Sequence, residues 1–324
     1  MSLNLPIIKL TDGSSGGGSV STIKTMGWSY VPGVPGFLDA VKGINMGIPN
    51  LAAVLGPAVG SPLFLRLKQV LTAVQIGLGA ARAVISHFSV MAGDIGSLFN
   101  AGPQVVENAT FEEGLTLRDL GGPGIHCLNG TIDNLAANEA ECFVQIRTVL
   151  SYLPNCGQSK LPPVIPISDP IERATEELRT IIPRRKQRMY DARVIIKSVF
   201  DAGSWFEIGP FWGRTAIVGL ARLAGRPVGV ISLNCEVNSG ALDAGGSQKI
   251  TRHLKLCDVM NLPIVQFVDV PGYAIGTVAE KQGEKTHTDH IEVTTNIDPP
   301  HQPCVGELNL GRLTSQPQSQ SSVC

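Results

Sequence analysis

One short phrase occurs twice in this chain of 324 residues. Residues 4–12 read NLPIIKLTD, residues 261–269 read NLPIVQFVD, and each copy is followed by a segment that ends in Gly-Ser-Val or Gly-Thr-Val. A short apolar run that opens with proline and closes with aspartate before glycines predicts a buried β-strand whose carboxyl end meets a loop. Open α/β sheets bind ligands at such strand ends. The repetition therefore predicts two related α/β modules; two unrelated core strands of similar composition are the alternative.

Length and composition restrict the class of protein. The length favours about two domains, each large enough to bury its own core. Hydrophobic residues make up 43% and charged residues 16% of the sequence. This balance is typical of chains with large buried interfaces, so we expect an oligomer. The formal net charge is −1 and the sequence has no basic stripe with interleaved aromatic residues, which disfavours nucleic acid as a partner.

Cysteine usage and hydropathy indicate the compartment. The seven cysteines form no CxxC pair, and the six histidines lack the spacing of a zinc site, so we expect free thiols, a reducing compartment and no metal. The apolar stretch from Ile44 to Phe64 is broken by prolines and a glycine, and cations follow it, so we expect no membrane span. The sequence opens with a strand and shows no secretory signal or other targeting segment. We therefore expect an intracellular protein, cytoplasmic or mitochondrial.

Two segments of the first half have clear patterns, and a linker follows them. Residues 48–60 predict a buried strand that leads into a glycine turn. Residues 138–153 carry apolar side chains on one helical face. Residues 154–170 are rich in proline, which predicts a boundary between domains.

The second half carries a hairpin pattern and a helix pattern. Residues 214–234 predict two apolar strands joined at Ala224-Gly225-Arg226. Residues 247–261 predict a helix with Ser247 as its N-cap. This helix leads directly into the second copy of the repeated phrase, so the expected local order is strand, helix, parallel strand.

Glycine turns are the strongest candidates for chemistry in this sequence. Turns such as GPAVG (residues 56–60) and GLGAAR (residues 77–82) leave backbone N–H groups free at the start of a helix, where they suit a developing oxyanion or a phosphate. GLGAAR matches only half of a dinucleotide-binding fingerprint, because an arginine replaces the third glycine and no acidic residue stands at the usual distance. Helix packing is the preferred interpretation of that partial match.

Side chains offer no comparable catalytic pattern. The sequence has no GxSxG elbow, Ser/His/Asp pattern or Walker lysine. His287 and His290 lie in a polar tail, where a metal site is not expected. His126 and Cys127 lie in GGPGIHCLNG, a predicted loop with no identifiable group to orient a dyad, so packing is their preferred role. Backbone N–H groups are therefore the expected catalytic groups.

Several longer segments resemble one enzyme family. FNAGPQVVENATFEEGLTLRDLGG (residues 99–122), GRPVGVISLN (residues 225–234) and residues 239–280, which contain FVDVPGYAIGT, are similar to the carboxyltransferase (beta) subunits of biotin-dependent acyl-CoA carboxylases. This family includes the propionyl-CoA and methylcrotonyl-CoA carboxylase beta chains. The resemblance covers nearly all of residues 5–280 except residues 61–76. It implies an α/β fold of two crotonase-like (ClpP/crotonase) halves, each a ββα superhelix, the second incomplete.

The resemblance also implies domains and partners. Residues 1–157 would form the acyl-CoA half with an insertion at residues 61–76, residues 158–170 the linker, residues 171–280 a truncated biotin half, and residues 281–324 a disordered tail, whose composition agrees. Biotin would be carried by a partner, the biotin carboxylase/biotin carrier subunit, and not by this chain. The substrate would be an acyl-CoA. The active site would lie across an interface of a homo-oligomer.

Three groups of site residues follow from the resemblance. Asp12 and Asp269 would end equivalent strands of the two halves. The thioester oxyanion hole would use backbone groups of Gly60, Gly77, Gly79 and Ala80. Substrate-binding residues would be Asp12, Gly16, Gly17, Gly18, Gly121, Gly122 and His126. The biotin-side loop, Val270 to Thr277, would contribute Pro271, Gly272, Tyr273, Gly276 and Thr277.

The chemistry that the family implies uses no catalytic side chain. Carboxybiotin releases carbon dioxide, the biotin nitrogen takes the α-proton of the acyl-CoA, and the enolate attacks the carbon dioxide. Paired backbone N–H groups hold each developing oxyanion.

Three departures from the family leave the function open. The chain begins inside a core strand, sixteen residues (61–76) separate GPAVG from GLGAAR, and after Glu280 a polar tail stands where the family has a long helix and a second glycine turn. Losing one oxyanion donor costs about 3 kcal/mol. Because the sequence lacks that second turn, we expect no decarboxylation of malonyl- or methylmalonyl-CoA above background.

Two other functions remain as alternatives. One is a non-catalytic or unstable fragment that binds acyl-CoA or a full-length subunit. The other, a crotonase-type hydratase or isomerase, would need a Glu or Asp beside the turn at Gly77, which offers only Arg82.

Overall fold

The computed structural model describes residues 5–12, 41–59, 80, 83–100, 102–170, 172–185, 188–281 and 306–309. The described strands of the first half are β1 (Ile7–Thr11), β2 (Asn50–Val54), β3 (Pro57–Val59), β4 (Phe88–Ala92), β5 (Ser97–Phe99) and β6 (Asn134–Ala136). Four of them form a parallel sheet in the order β1-β2-β4-β6, and β3 pairs in parallel with β5. Every residue of β2 and β4 is buried, which explains why both central strands are apolar without alternation. The strand predicted within residues 48–60 is therefore confirmed, whereas the glycine turn predicted at residues 56–60 is wrong for Pro57–Val59, which form β3 because β5 offers them a parallel partner.

The second sheet contains β7 (Phe206–Ile208), β8 (Ala216–Leu223), β9 (Arg226–Leu233), β10 (Ile264–Val268) and β11 (Gly306–Asn309) in the order β11-β10-β9-β8-β7. The antiparallel pair β8–β9 confirms the predicted hairpin. Its two turn residues, Ala224 and Gly225, have φ values of 51° and 77°. Left-handed backbone at both central positions is typical of the tight turns that match the twist of a hairpin.

Two predictions for the second sheet have different outcomes. The parallel pairing of β10 with β9 across an intervening helix confirms the predicted order of strand, helix and parallel strand. A disordered tail was predicted for residues 281–324, but residues 306–309 form strand β11. In this strand Gly306 pairs with Val265 and Asn309 with Val268. Pairing with β10 supplies the backbone hydrogen bonds that the polar composition of this segment does not signal.

The described helices are α1 (Pro103–Thr110), α2 (Leu117–Gly121), α3 (Pro123–His126), α4 (Glu139–Tyr152), α5 (Leu178–Ile181), α6 (Ala192–Val199), α7 (Ala244–Val259) and α8 (Thr277–Lys281). Helix α4 confirms the pattern of residues 138–153, since Asn138 caps it by accepting from the Glu141 N–H at 3.0 Å. Its buried side chains are Cys142, Ile146, Val149 and Tyr152. Within the described residues, no helix combines the length and apolar character that a membrane crossing requires.

Ser247 as the N-cap of α7 was a wrong prediction. The helix begins at Ala244, and Asp243 caps it, with Oδ1 accepting from the Gly246 N–H and from the Thr215 hydroxyl at 2.7 Å each. Glycines at 245 and 246 lower the helix propensity of this first turn, so the sequence pattern placed the start too late. Ser247 itself is fully buried inside the helix.

We expect Asp243→Ala to lower the free energy of unfolding by about 1–2 kcal/mol, because the first turn of α7 loses its cap and the Thr215 hydroxyl loses its acceptor. Urea unfolding followed by circular dichroism measures the change. Asp258→Ala, at an exposed position of the same helix, is the matched control and should change the free energy by less than about 0.5 kcal/mol. Equal effects of the two substitutions would contradict the assignment of the cap.

Both copies of the repeated phrase form strands, but the buried strand predicted for the first copy is wrong, because Ile7, Ile8 and Leu10 of β1 are 37%, 47% and 58% exposed. β1 pairs in parallel with β2, from Ile7 with Asn50 to Thr11 with Val54. β10 pairs in the same sense with β11, the strand that follows it among the described residues. In the described structure β1 lies at the edge of its sheet, whereas β10 lies between β9 and β11. Each copy therefore forms a strand that pairs in parallel with a strand later in the chain.

The largest hydrophobic cluster takes side chains from both sequence halves. Its members include Leu51, Phe88 and Ile146 from the first half and Leu220 and Leu256 from the second. The rings of Phe88 and Phe206 meet edge to face, with centroids 5.7 Å apart. Two smaller clusters lie within one half each. The halves thus pack through a shared core, and the boundary at residues 158–170 remains a prediction.

Arg222 ties the linker to this framework. Its guanidinium is buried and donates to the carbonyl oxygens of Pro163 at 3.3 Å, Gly225 at 3.2 Å and Ser151 at 2.6 Å. It also lies 4.6 Å from the centre of the Tyr152 ring. One side chain of β8 therefore joins the linker, the hairpin turn and the end of α4.

Candidate functional site

The first candidate edge lies where β1 and β2 end. Asp12 follows β1, and the Leu55 N–H donates to the Thr11 carbonyl at 2.9 Å. A methyl group on Gly56 would lie 2.0 Å from Asp12 Oδ1, so a larger residue at position 56 would displace this carboxylate from the turn between β2 and β3. Asp12, which the sequence placed at this strand end, therefore contacts the first glycine of GPAVG.

Contacts continue from Gly56 to the predicted substrate residues Gly121 and His126. The Ser97 N–H donates to the Gly56 carbonyl at 3.3 Å, and Leu98 follows in β5. A methyl group on Gly121 would lie 2.1 Å from the Leu98 carbonyl oxygen. His126 Nε2 is hydrogen-bonded to the same oxygen, and because a carbonyl only accepts, Nε2 carries the proton. The structure thus connects Asp12, Gly121 and His126 through β5.

The loop predicted for GGPGIHCLNG is wrong, because its first half is helical. Thr116 and Asp119 form a reciprocal capping box that starts α2. Gly122 ends α2 and precedes Pro123, whose fixed φ suits the first position of α3. His126 is the last residue of α3, so two short helices, and not a loop, position Gly121, Gly122 and His126.

His126 and Cys127 show no features of a catalytic dyad. Burial raises the pKa of the Cys127 thiol to about 11, with the negative charge of Asp133 contributing. His126 Nδ1 is buried without a partner, and its other nitrogen is held by Leu98. The five described cysteines are all free thiols. In the described ranges, no group of three or more His, Cys, Asp or Glu side chains could hold a metal ion.

The predicted oxyanion hole lies mostly outside the described residues. Gly60, Gly77 and Gly79 are among the residues that the structure does not describe, as are Gly16, Gly17 and Gly18. Ala80 is described, with helical backbone and a buried side chain in the cluster that contains Val54 and Met91. Ala80 thus shares a core cluster with side chains of β2 and β4, and its role in an oxyanion hole stays a prediction.

The second candidate edge begins at Asp269, which follows β10. The Tyr190 hydroxyl donates to Asp269 Oδ2 at 2.5 Å. Burial, together with the Asp269 carboxylate, raises the pKa of Tyr190 well above its usual range, so the phenol remains a donor. Cys235 fixes the backbone of Tyr190, because its Sγ donates to the Tyr190 carbonyl at 3.0 Å and accepts from the Tyr190 N–H at 3.3 Å. Sequence reasoning missed Tyr190, which is 79 residues from Asp269 and part of no pattern.

The predicted biotin-side loop, Val270 to Thr277, is held by its backbone and exposes its side chains. The Leu242 N–H donates to the Gly272 carbonyl at 3.1 Å, and the Ala274 N–H donates to the Leu242 carbonyl at 2.8 Å. Tyr273, between these two bonds, is 51% exposed, and Ile275 is 94% exposed. Pro271, Gly276 and Thr277 are exposed as well, with Thr277 opening α8. All five residues predicted for this loop therefore lie together at the surface, and their contact with biotin stays a prediction.

Solved structures define the class of fold. The transcarboxylase 12S structure with methylmalonyl-CoA and methylmalonic acid bound has a TM-score of 0.71 and 24% identity, over 91% of this chain and 52% of that one. A single-chain, multi-domain long-chain acyl-CoA carboxylase has a TM-score of 0.69 and 22% identity, over 94% of this chain and 26% of that one. At these identities the likeness concerns the fold, an α/β architecture of two crotonase-like halves.

Sequence comparison then gives the family. Residues 69–288 match the carboxyl transferase domain, so the chain belongs to the carboxyl transferase family, which confirms the resemblance seen in the sequence. It is 31% identical over 291 residues to the mitochondrial propionyl-CoA carboxylase beta chain of Sus scrofa, covering 89% of this chain and 49% of that protein. It is 32% identical over 241 residues to the methylmalonyl-CoA decarboxylase subunit alpha of Veillonella parvula, covering 74% of this chain and 44% of that protein. The chain spans about half the length of these relatives.

Proposed function

We propose that this chain provides a carboxyltransferase site of a biotin-dependent acyl-CoA carboxylase, which moves a carboxyl group from carboxybiotin to the α carbon of an acyl-CoA. The observation that carries the proposal is the pair of corresponding strand ends. The Asp12 carboxylate lies against Gly56, and Asp269 leads into a loop fixed by its backbone. Two such edges suit a reaction that needs one site for the acyl thioester and another for the carboxyl donor.

The edge at Asp12 is the proposed acyl-CoA side. Gly121 and His126 contact the same carbonyl of β5, and the backbone N–H groups of Gly60, Gly77, Gly79 and Ala80 are the proposed oxyanion donors. Among related structures, transcarboxylase 12S is described with methylmalonyl-CoA bound and as a hexamer, which supports an acyl-CoA substrate and a homo-oligomer for this chain.

The loop from Val270 to Thr277 is the proposed biotin side. Biotin would come on a partner subunit or domain and supply the transferable carboxyl group. The exposed faces of Tyr273 and Ile275 fit the apolar surface of its fused ring, and the backbone contacts of Leu242 keep the loop in place. Tyr190 holds Asp269 at the base of the loop and so acts as a positioning residue.

A decarboxylation assay tests the proposed function. Purified chain is incubated with methylmalonyl-CoA, with and without a biotinylated carrier, and loss of methylmalonyl-CoA is followed by chromatography. Loss that requires the carrier is the result that the proposed function demands, and it would overturn the sequence-based expectation of no decarboxylation above background. Binding of methylmalonyl-CoA with loss at background would contradict carboxyl transfer by this chain and support the acyl-CoA-binding alternative.

We expect Tyr273→Ala to raise the KM for the biotinylated carrier about tenfold, because an exposed aromatic contact contributes about 1–1.5 kcal/mol. The Kd for methylmalonyl-CoA should not change, since Tyr273 lies in the loop that follows β10 and not at the edge of β1. Phe111→Ala, at an exposed aromatic residue that follows α1, is the matched control and should leave both constants unchanged. A larger Kd for methylmalonyl-CoA in Tyr273→Ala would contradict the division of the two edges.

A further inference from the structure

The segment between α3 and β6 contains the pair Asn129-Gly130, the only asparagine in the sequence that is followed by glycine. In such a pair the backbone nitrogen can attack the side-chain amide of the asparagine. Glycine favours this reaction, because it has no Cβ to shield its nitrogen and its backbone rotates freely. Asn129 is exposed, so water has access to its side chain.

The fold holds the Asn129 side chain against the backbone that follows it. Asn129 Oδ1 accepts from the Thr131 N–H at 3.0 Å, which folds the side chain back toward the Gly130 peptide. A donor to Oδ1 withdraws electrons from Cγ and stabilises negative charge on this oxygen when a nucleophile attacks. Among the described residues the Gly130 N–H has no acceptor, so its nitrogen is not engaged elsewhere. The local structure therefore favours attack of the Gly130 nitrogen on Asn129 Cγ.

Gly130 also joins the two halves of the molecule. Its carbonyl accepts from Arg252 Nη1 at 2.8 Å, and Arg252 pairs with Asp133 at 3.1 Å. A methyl group on Gly130 would lie 2.3 Å from the Trp212 ring, so this ring packs directly on the glycine backbone. A change in the length of the main chain at Gly130 would therefore disturb the contacts of Arg252 and Trp212 with the first half.

We propose that Asn129 is a site of spontaneous deamidation and that its conversion weakens the contact between the halves. The Gly130 nitrogen bonds to Asn129 Cγ, the Cγ–Nδ2 bond breaks, and the proton of the Gly130 N–H passes through water to the departing nitrogen, which leaves as ammonia. Water then opens the cyclic imide. Opening at Cγ gives aspartate, and opening at the main-chain carbonyl gives isoaspartate. Isoaspartate lengthens the main chain by a methylene group directly before Gly130.

Incubation of the full chain at mildly alkaline pH tests the reaction. Peptide mapping by mass spectrometry should show aspartate and isoaspartate at residue 129, formed at least as fast as in a synthetic peptide of residues 125–133. Asn138 is the internal control, because its Oδ1 also accepts from a backbone N–H at 3.0 Å but glutamate follows it, and it should stay unmodified. Slower conversion of Asn129 in the folded chain than in the peptide, or conversion to aspartate alone, would overturn the proposal.

Urea unfolding of fresh and incubated protein measures the effect on the contact between the halves. The unfolding midpoint should fall as isoaspartate accumulates. Asn129→Ser keeps an acceptor for the Thr131 N–H but cannot form the imide, so its midpoint should not change on incubation. Asn129→Asp adds the charge without the methylene group and should unfold near the midpoint of fresh wild type. An unchanged midpoint in wild type that carries isoaspartate, or an equal fall in Asn129→Ser, would contradict the proposed link.

Discussion

Arg222→Ala is expected to lower the free energy of unfolding by at least about 3 kcal/mol. The arginine is the donor to three backbone carbonyls, those of Ser151, Pro163 and Gly225, and each buried carbonyl left without a donor costs about 1–3 kcal/mol. The face of Tyr152 also loses its cation. Removing a buried charge offsets part of this cost, which is why the estimate lies at the low end of the sum. Equilibrium unfolding in urea measures the change.

Arg226 offers a matched control for Arg222. It opens β9 only four positions later, and its side chain is exposed, so Arg226→Ala should change the free energy of unfolding by less than about 0.5 kcal/mol. Arg222→Lys keeps the charge but replaces the planar fork with a single ammonium group, so it should lie between wild type and Arg222→Ala. A loss below about 1 kcal/mol in Arg222→Ala would contradict the role of this side chain in anchoring the linker.

Acidification between pH 6.5 and pH 4 is expected to destabilise the protein through His87 and His253, by up to about 3 kcal/mol for each. Burial lowers the pKa of both from 6.5 to about 4, and Lys9 and Lys249 add to the shift at His87 and His253 respectively. Between these pH values the unfolded chain binds more protons than the folded chain, so stability falls as the pH falls. Above pH 6.5 both states carry neutral rings and this contribution does not change with pH.

Comparison with His253→Leu isolates this effect from the titration of carboxylates in the same pH range. The variant lacks one of the two buried rings, so its stability should fall with a shallower slope between pH 6.5 and pH 4. Thermal unfolding at a series of pH values measures both slopes. Identical slopes for the variant and wild type would show that His253 is protonated in the folded state, contrary to its burial.

Local patterns predicted much of the fold. The hairpin at Ala224 and Gly225 and helix α4 were predictable because turn residues and helical periodicity act over a few neighbouring positions. The family resemblance placed Asp12 and Asp269 at corresponding strand ends. It also placed the loop from Val270 to Thr277 in one piece, since a contiguous loop requires no knowledge of distant contacts.

Long-range contacts account for what the sequence did not show. Tyr190 reaches Asp269, and Arg222 reaches Ser151, across 79 and 71 residues respectively. The start of α7 at Asp243 depends partly on Thr215, 28 residues earlier. Strand β11 forms where β10 offers a free edge, although its own sequence has no strong strand pattern. Each of these features depends on a partner that becomes adjacent only after folding.

Leu51, Phe88 and Ile146 share a hydrophobic cluster with Leu220 and Leu256, so the peptide linker is not needed to hold the two halves together. Side-chain packing across the boundary holds the halves together. A protease that cleaves the exposed linker near Leu161 would therefore leave the two fragments associated. Either fragment expressed alone would expose a large hydrophobic surface, which another protein surface would have to cover.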